Sequence, residues 1–210
     1  TQSETVKNMT IRYLALGDSY TIGESVEEAE RFPNQLAAML GEEGLSTEVT
    51  IIPRTGWTTD ELWQGIQART IEPPYDLASL LIGVNNQYRG YDINEYREGF
   101  KFLLSKAIEY AGGDVNRGIV FSIPDWGVTP FASGRDAEKI AAEIDAFNQV
   151  NIEESQNAGV HYVNVTPVSR QAVDDPALIA KDGLHPSGVM YAQWAEIAFP
   201  IALKILKQKF

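Results

Sequence analysis

Five short apolar runs recur along this chain, and their spacing constrains the fold more than any other feature. They are "IRYLAL" (11–16), "EVTIIP" (48–53), "LASLLIG" (77–83), "GIVFSIP" (118–124) and "VHYVNV" (160–165). Most are rich in β-branched or aromatic residues, and all are too short for a helix of useful length, so each reads as a strand. Between them lie amphipathic stretches of helical period. "NQLAAMLGEEG" (34–44) has Leu36, Met39 and Leu40 on one face. "TTDELWQGIQ" (58–67) opens with Thr58 and Glu61, a capping-box pair. "NEYREGFKFLLSKAIEYAGG" (94–113) and "DAEKIAAEIDAFNQVNIEESQNAG" (136–159) end in glycine. "SGVMYAQWAEIAFPIALKILKQ" (187–208) closes the chain, with Ser187 as its cap and Pro200 as an expected kink.

Strands that alternate with helices predict a parallel sheet covered on both faces, an α/β domain. A hydrophobic share of 44% supplies the core such a sheet needs. No repeat or linker interrupts residues 11–210, so they read as one domain behind a polar tail, 1–10. The tail's "TQSETVKN" reads as what removal of a leader or tag leaves, or as a trimmed start, and the sequence does not choose between them; of the compartments, periplasmic or secreted is favoured over cytoplasmic. No uninterrupted apolar run approaches the roughly 18 residues of a membrane span. Acidic residues outnumber basic ones 29 to 17, a formal charge of −12, which disfavours nucleic-acid and anionic membrane partners. The oligomeric state is open.

In open parallel sheets, ligands bind beyond the carboxyl ends of the strands. Gly17, Asp18 and Ser19 follow the first run. Gly56 follows the second, in "RTGWTTDE". Gly83, Val84, Asn85 and Asn86 follow the third, and "DGLHP" (182–186) precedes the last helix. Each alone passes for a turn or a cap; together they fall on the rim where a site is expected.

The chain has no cysteine, so a covalent mechanism would use Ser, Thr, Lys or a carboxylate. A serine hydroxyl needs a base beside it, usually histidine. Of the two histidines, His161 lies inside a strand run and reads as a packed strand residue. His185 lies in a polar loop three residues after Asp182, which can accept the imidazole Nδ1–H and fix its tautomer. Ser19, His185 and Asp182 form a plausible relay. The N–H groups of Ser19 and Gly56 and the Asn85 amide could face a developing oxyanion. Asp18 reads as a brace or cap for the elbow rather than a catalytic group.

These blocks, "GDS", a lone glycine after strand two, "GxN" and "DxxHP", resemble in order and spacing those of the SGNH (GDSL-type) esterase/lipase family, from Leu14 to Pro186. The resemblance implies a flavodoxin-like three-layer α/β/α sandwich with a five-stranded parallel sheet. It also implies ester or thioester hydrolysis through an acyl-enzyme, with no metal and no organic cofactor. The nucleophile falls on Ser19, the oxyanion glycine on Gly56, the oxyanion asparagine on Asn85, and the Asp and His on Asp182 and His185. Two departures stand out. Tyr20 replaces a common leucine, without expected effect on the chemistry. Asn86 replaces a common aspartate, so any hydrogen bonding there must be done by a neutral group.

Trp57, Tyr88, Tyr91, Trp126 and Phe131 fall near the same rim. They read as loop packing or as a platform for a sugar or a short acyl chain, and Trp57, Tyr88 and Trp126 are the candidates for substrate contact. Arg89 could hold an anion or be solvated. Glu24, Glu27, Glu28 and Glu30 read as a solvated acidic face. No lid-like insertion is evident, so the expected substrates are small or short-chain acyl esters. The alternatives are a carbohydrate O-deacetylase, a thioesterase or lysophospholipase, and a carbohydrate-binding protein on an esterase fold. A flavin or phosphate site is disfavoured because no G-x-G-x-x-G or G-K-[ST] is present. A metal site on Asp18, Asp182 and His185 is poor for zinc with one usable histidine. The α/β-hydrolase G-x-S-x-G is absent.

Overall fold

The computed structural model describes residues 10–53 and 55–208. The polar tail therefore lies outside the described residues except for Thr10. The five runs become five strands: β1 (Ile11–Gly17), β2 (Thr47–Pro53), β3 (Leu77–Leu81), β4 (Gly118–Phe121) and β5 (His161–Val163). All pair in parallel, in the order β2-β1-β3-β4-β5. This is the flavodoxin-like order, whose switch point lies between β1 and β3.

Among the described residues eight α-helices accompany the sheet: α1 (Ser19–Ile22), α2 (Phe32–Glu42), α3 (Thr59–Gln67), α4 (Val84–Tyr88), α5 (Ile93–Tyr110), α6 (Ala137–Ala158), α7 (Thr166–Arg170) and α8 (Gly188–Lys207). Helices α2 and α8 pack together on one face, and α3, α5 and α6 pack side by side on the other. Phe32 of α2 meets Phe121 of β4 and both Tyr191 and Trp194 of α8, so it joins sheet to helix layer. Opposite, Tyr96 of α5 packs on Phe147 of α6 with ring centroids 4.6 Å apart.

Most strands are shorter than the apolar runs that announced them. Ile82, Ile123 and Val165 are buried but lie past the strand ends. Side chains there replace the ladder. Asn148 accepts from the Ile123 N–H at 2.8 Å and donates to the Ile123 carbonyl at 3.1 Å, and the Ser122 hydroxyl accepts from the Val165 N–H at 2.8 Å. An apolar run records burial, and these residues are buried without being paired to a strand.

Helix α2 starts two residues earlier than its period suggested, because Pro33 is tolerated in a first helical turn. The Thr58–Glu61 capping box forms, and Ser187 caps α8. Helix α8 runs through Pro200 to Lys207. By length and composition it is apolar enough to cross a membrane. Its Tyr191, Trp194, Ala195 and Ala198 are buried in the core, and its neighbour along that face is α2.

Candidate active site

Strand β1 ends in Gly17, and the chain turns at once into α1. A Cβ on Gly17 would stand 2.1 Å from Thr21 Oγ1 and 2.5 Å from the Leu81 carbonyl, so only glycine lets strand and helix meet this closely. Asp18 is the cap: its carboxylate accepts from the Tyr20 N–H at 3.0 Å. Ser19 is the first helical residue and is 4% exposed. Its N–H is one of the donors a helix start leaves without an internal partner.

The loop before α8 brings in the other two members of the expected relay. Ser19 Oγ lies 2.9 Å from His185 Nε2, and His185 Nδ1 lies 2.6 Å from Asp182 Oδ2. Asp182 also accepts from the N–H groups of Leu184 (2.9 Å) and His185 (3.0 Å), and from the Ser25 hydroxyl (2.9 Å). Partial burial opposes its charge, but the bonds from the His185 ring, the two backbone N–H groups and Ser25 outweigh it and hold its pKa at about 2. Ser25 holds a left-handed backbone, φ 67°, which is strained for a non-glycine residue. The Tyr20 ring stands 5.0 Å from the imidazole. Tyr20 thus packs on the histidine instead of standing apart from it. Neither the Ser25 nor the Tyr20 contact was legible in the sequence, since both cross from α1 and its loop to residues far along the chain.

Asp18 is fully buried. Desolvation pushes its carboxyl up to about 7, against the N–H bonds of Tyr20 and Asp18 itself and the Asn85 amide, which favour the charge.

Of the other two strand-end segments, the one after β3 reaches the Ser19 elbow. Asn85 follows β3 in α4; its Nδ2 donates to the Trp57 carbonyl at 3.0 Å and lies 3.3 Å from Asp18 Oδ2. Gly56 follows β2 with φ +81°, a conformation that favours glycine. Arg89 donates from Nη2 to the Gly56 carbonyl at 2.6 Å and from Nη1 to Glu61 at 2.9 Å. Its side chain is exposed, as a solvated arginine's would be, but with both nitrogens engaged it is not free to hold an anion alone. Asn86 uses both halves of its amide on Thr59: Oδ1 accepts from the backbone N–H (3.1 Å) and Nδ2 donates to the hydroxyl (3.0 Å). A neutral side chain fits this buried position without a charge to desolvate.

A cavity of about 130 Å³ opens over Ser19 and His185, walled by Val84, Tyr88, Trp126 and Phe131. The Trp126 indole donates to Gln87 at 2.7 Å, and Gln87 donates to Glu143 at 2.7 Å, so the wall is anchored. Arg135 sits over all three aromatic rings, 5.3 to 5.5 Å from their centroids. Trp57 faces elsewhere. Its ring lies so close to Gly65 of α3 that a Cβ there would come within 1.9 Å of it, and it lines a separate groove of about 560 Å³ with Gly56, Gln64 and Arg89. Tyr91 reaches Asp60 at 3.4 Å, outside the cavity. His161 stands half-buried in β5. Glu27, Glu28 and Glu30 are exposed, whereas Glu24 accepts from the Thr55 hydroxyl at 2.6 Å. Among the described residues no group of three His, Asp or Glu side chains is arranged to hold a metal ion.

The fold and these strand-end segments belong to a known class. The profile of the GDSL-like Lipase/Acylhydrolase family matches residues 15–193, and the chain is a member of that hydrolase family. Solved structures agree on the fold. TesA superposes with a TM-score of 0.71 at 18% identity, covering 93% of this chain and 99% of that one. The esterase EstA from Pseudoalteromonas sp. gives 0.68 at 15% identity, covering 93% and 98%. Axe2, an acetylxylan esterase from Geobacillus stearothermophilus, gives 0.67 at 18% identity, covering 93% and 94%. No curated protein matches the chain.

Proposed function

We propose that the protein is a serine ester hydrolase acting on short-chain acyl esters through an acyl-enzyme. The observation that carries this reading is the unbroken hydrogen-bond relay from Ser19 through His185 to Asp182 at the carboxyl ends of the strands. Ser19 Oγ attacks the acyl carbon while its proton passes to His185 Nε2. Asp182 accepts the Nδ1–H, which fixes the tautomer and stabilises the imidazolium. The N–H groups of Ser19 and Gly56 and the Asn85 amide hold the oxyanion. Of the two Asn85 contacts, the longer, to Asp18, is the one that yields. Collapse expels the alcohol, which takes the proton back from His185. Water then attacks the acyl-Ser19 ester by the same route and releases the acid.

The acyl group belongs in the cavity of about 130 Å³. That volume is well below the roughly 300 Å³ at which pockets take drug-sized ligands, and its walls are mainly apolar, which suits a short chain. The test is hydrolysis of acetate through octanoate esters by the parent and by Ser19→Ala. Activity that peaks at short chains and vanishes in a folded Ser19→Ala supports the reading; undiminished activity in Ser19→Ala overturns it.

One observation favours a second reading, of the alcohol. The groove beside Gly56 is several times larger than the acyl cavity and carries the Trp57 ring with polar Gln64 and Glu61. An aromatic face with planar polar groups suits a sugar, which would make the protein a carbohydrate O-deacetylase. A kcat/KM for acetylated xylo-oligosaccharides well above that for ethyl acetate would support it; parity would remove it.

A further inference from the structure

The loop after β2 contains a glycine in the left-handed region and should be costly to hold still. Three successive residues of it are nevertheless tied to groups outside it. The Gly56 carbonyl accepts from Arg89, the Trp57 carbonyl accepts from Asn85, and the Thr58 N–H donates to Glu61 Oε2 at 2.9 Å. Arg89 joins these ties. One of its nitrogens holds the Gly56 carbonyl, and another holds the second oxygen of the same Glu61 carboxylate. Arg89 is also the cap of α4, and its N–H donates to the Asn85 carbonyl at 3.0 Å. A stretch of five residues, 85–89, therefore grips the loop at two adjacent carbonyls.

The chemistry of the grip requires a guanidinium. Its planar fork presents two donors in fixed directions, which a lysine ammonium cannot do. The Arg89–Glu61 pair is exposed at 42% and 32%, so as an ion pair it adds little to stability. Its contribution lies in geometry.

We propose that Arg89 is a positioning residue: by fixing the peptide that follows Gly56, it aims the Gly56 N–H and sets its distance from the Asn85 amide. This rests on the reading of Gly56 and Asn85 as oxyanion donors. Arg89 touches no reacting atom.

The experiment compares the parent with Arg89→Met, Arg89→Lys and Arg89→Ala on a short-chain ester. Deleting an oxyanion donor costs about 10²–10³ in kcat, and a misaimed one should cost part of that. Arg89→Met should lose roughly 10- to 100-fold in kcat, with KM within about twofold and the thermal midpoint unchanged, because the donor acts on the transition state. Arg89→Lys should recover little. Millimolar guanidinium should restore part of the kcat of Arg89→Ala. Amide exchange in the peptide spanning 55–58 should quicken in Arg89→Met while the sheet is unaffected. An active parent with an unaltered Arg89→Met, or unchanged exchange in that peptide, overturns the proposal alone. A parent inert on every ester removes the reading of the site and the proposal with it.

Discussion

Burial of Asp18 should make the stability of the folded chain fall as pH rises towards neutrality. Its carboxyl is wholly inaccessible, and desolvation lifts it from an ordinary 3.8 to about 7. A carboxyl raised in the folded state keeps a proton that the unfolded chain has already released. The stabilisation is therefore complete below about pH 4 and is lost as pH climbs through about 7. Each pH unit of difference is worth roughly 1.4 kcal/mol, so the whole window amounts to about 4 kcal/mol, of which about 3 fall between pH 5 and pH 8. Against a usual total of about 5–15 kcal/mol, that is easily measured. Asp18→Asn cannot ionise but keeps an oxygen to accept the Tyr20 N–H. The variant starts from a lower baseline, because its amide nitrogen meets the Asn85 Nδ2, donor against donor. That penalty does not depend on pH, and the other titrating groups cancel in the comparison. Urea unfolding of both proteins at pH 5 and pH 8 should show the parent losing about 3 kcal/mol more than the variant. Parallel pH dependences would refute the argument, because they would mean that Asp18 is ionised at its ordinary value inside the fold.

Asp182→Asn should cut kcat by about 10⁴, since an amide cannot hold the imidazole in the required tautomer, and should lower the unfolding midpoint at pH 7, because it gives up the bonds that His185 and Ser25 make to the carboxylate; steady-state kinetics with circular dichroism check this. Asp182, held at about 2, contributes stability that is present above about pH 4 and is lost as pH falls towards 2. Ser25→Ala removes one of its donors, so acid unfolding should begin at a higher pH; Ser25→Gly should show the same shift but greater stability than Ser25→Ala at pH 7, because it relieves the strained φ. Tyr96→Phe should cost about 1–3 kcal/mol in urea unfolding, because the buried Tyr96 hydroxyl shares its one proton between Asn151 Oδ1 at 2.6 Å and the Ile82 carbonyl at 3.0 Å.

The sequence by itself determined the class of fold. Alternation of period-two and period-3.6 patterns is a local property, and burial on both faces writes it into runs such as "LASLLIG" without reference to the rest of the chain. It also put Ser19, Gly56 and Asn85 just past strand ends, because a parallel sheet carries every strand's carboxyl end to one side; Asp182 and His185 follow no strand directly, and it is the structure that brings them to Ser19. The strand ends were less legible. Ile82, Ile123 and Val165 are as apolar as their strand neighbours, and only the side chains of Tyr96, Asn148 and Ser122 that bond their backbones show where pairing stops. Tertiary structure alone decided the contacts that adjust the site. Ser25 meets Asp182 across 157 residues of sequence, and Arg89 meets Gly56 across 33. It separated Trp57 from Tyr88 and Trp126, which the sequence had grouped, because Gly65 leaves room for the Trp57 ring against α3. It also buried Asp18 completely while leaving Asp182 partly open to water. Two aspartates of the same composition thereby acquire opposite shifts, since desolvation and hydrogen bonding depend on which atoms surround a carboxyl and not on which residues adjoin it in the chain.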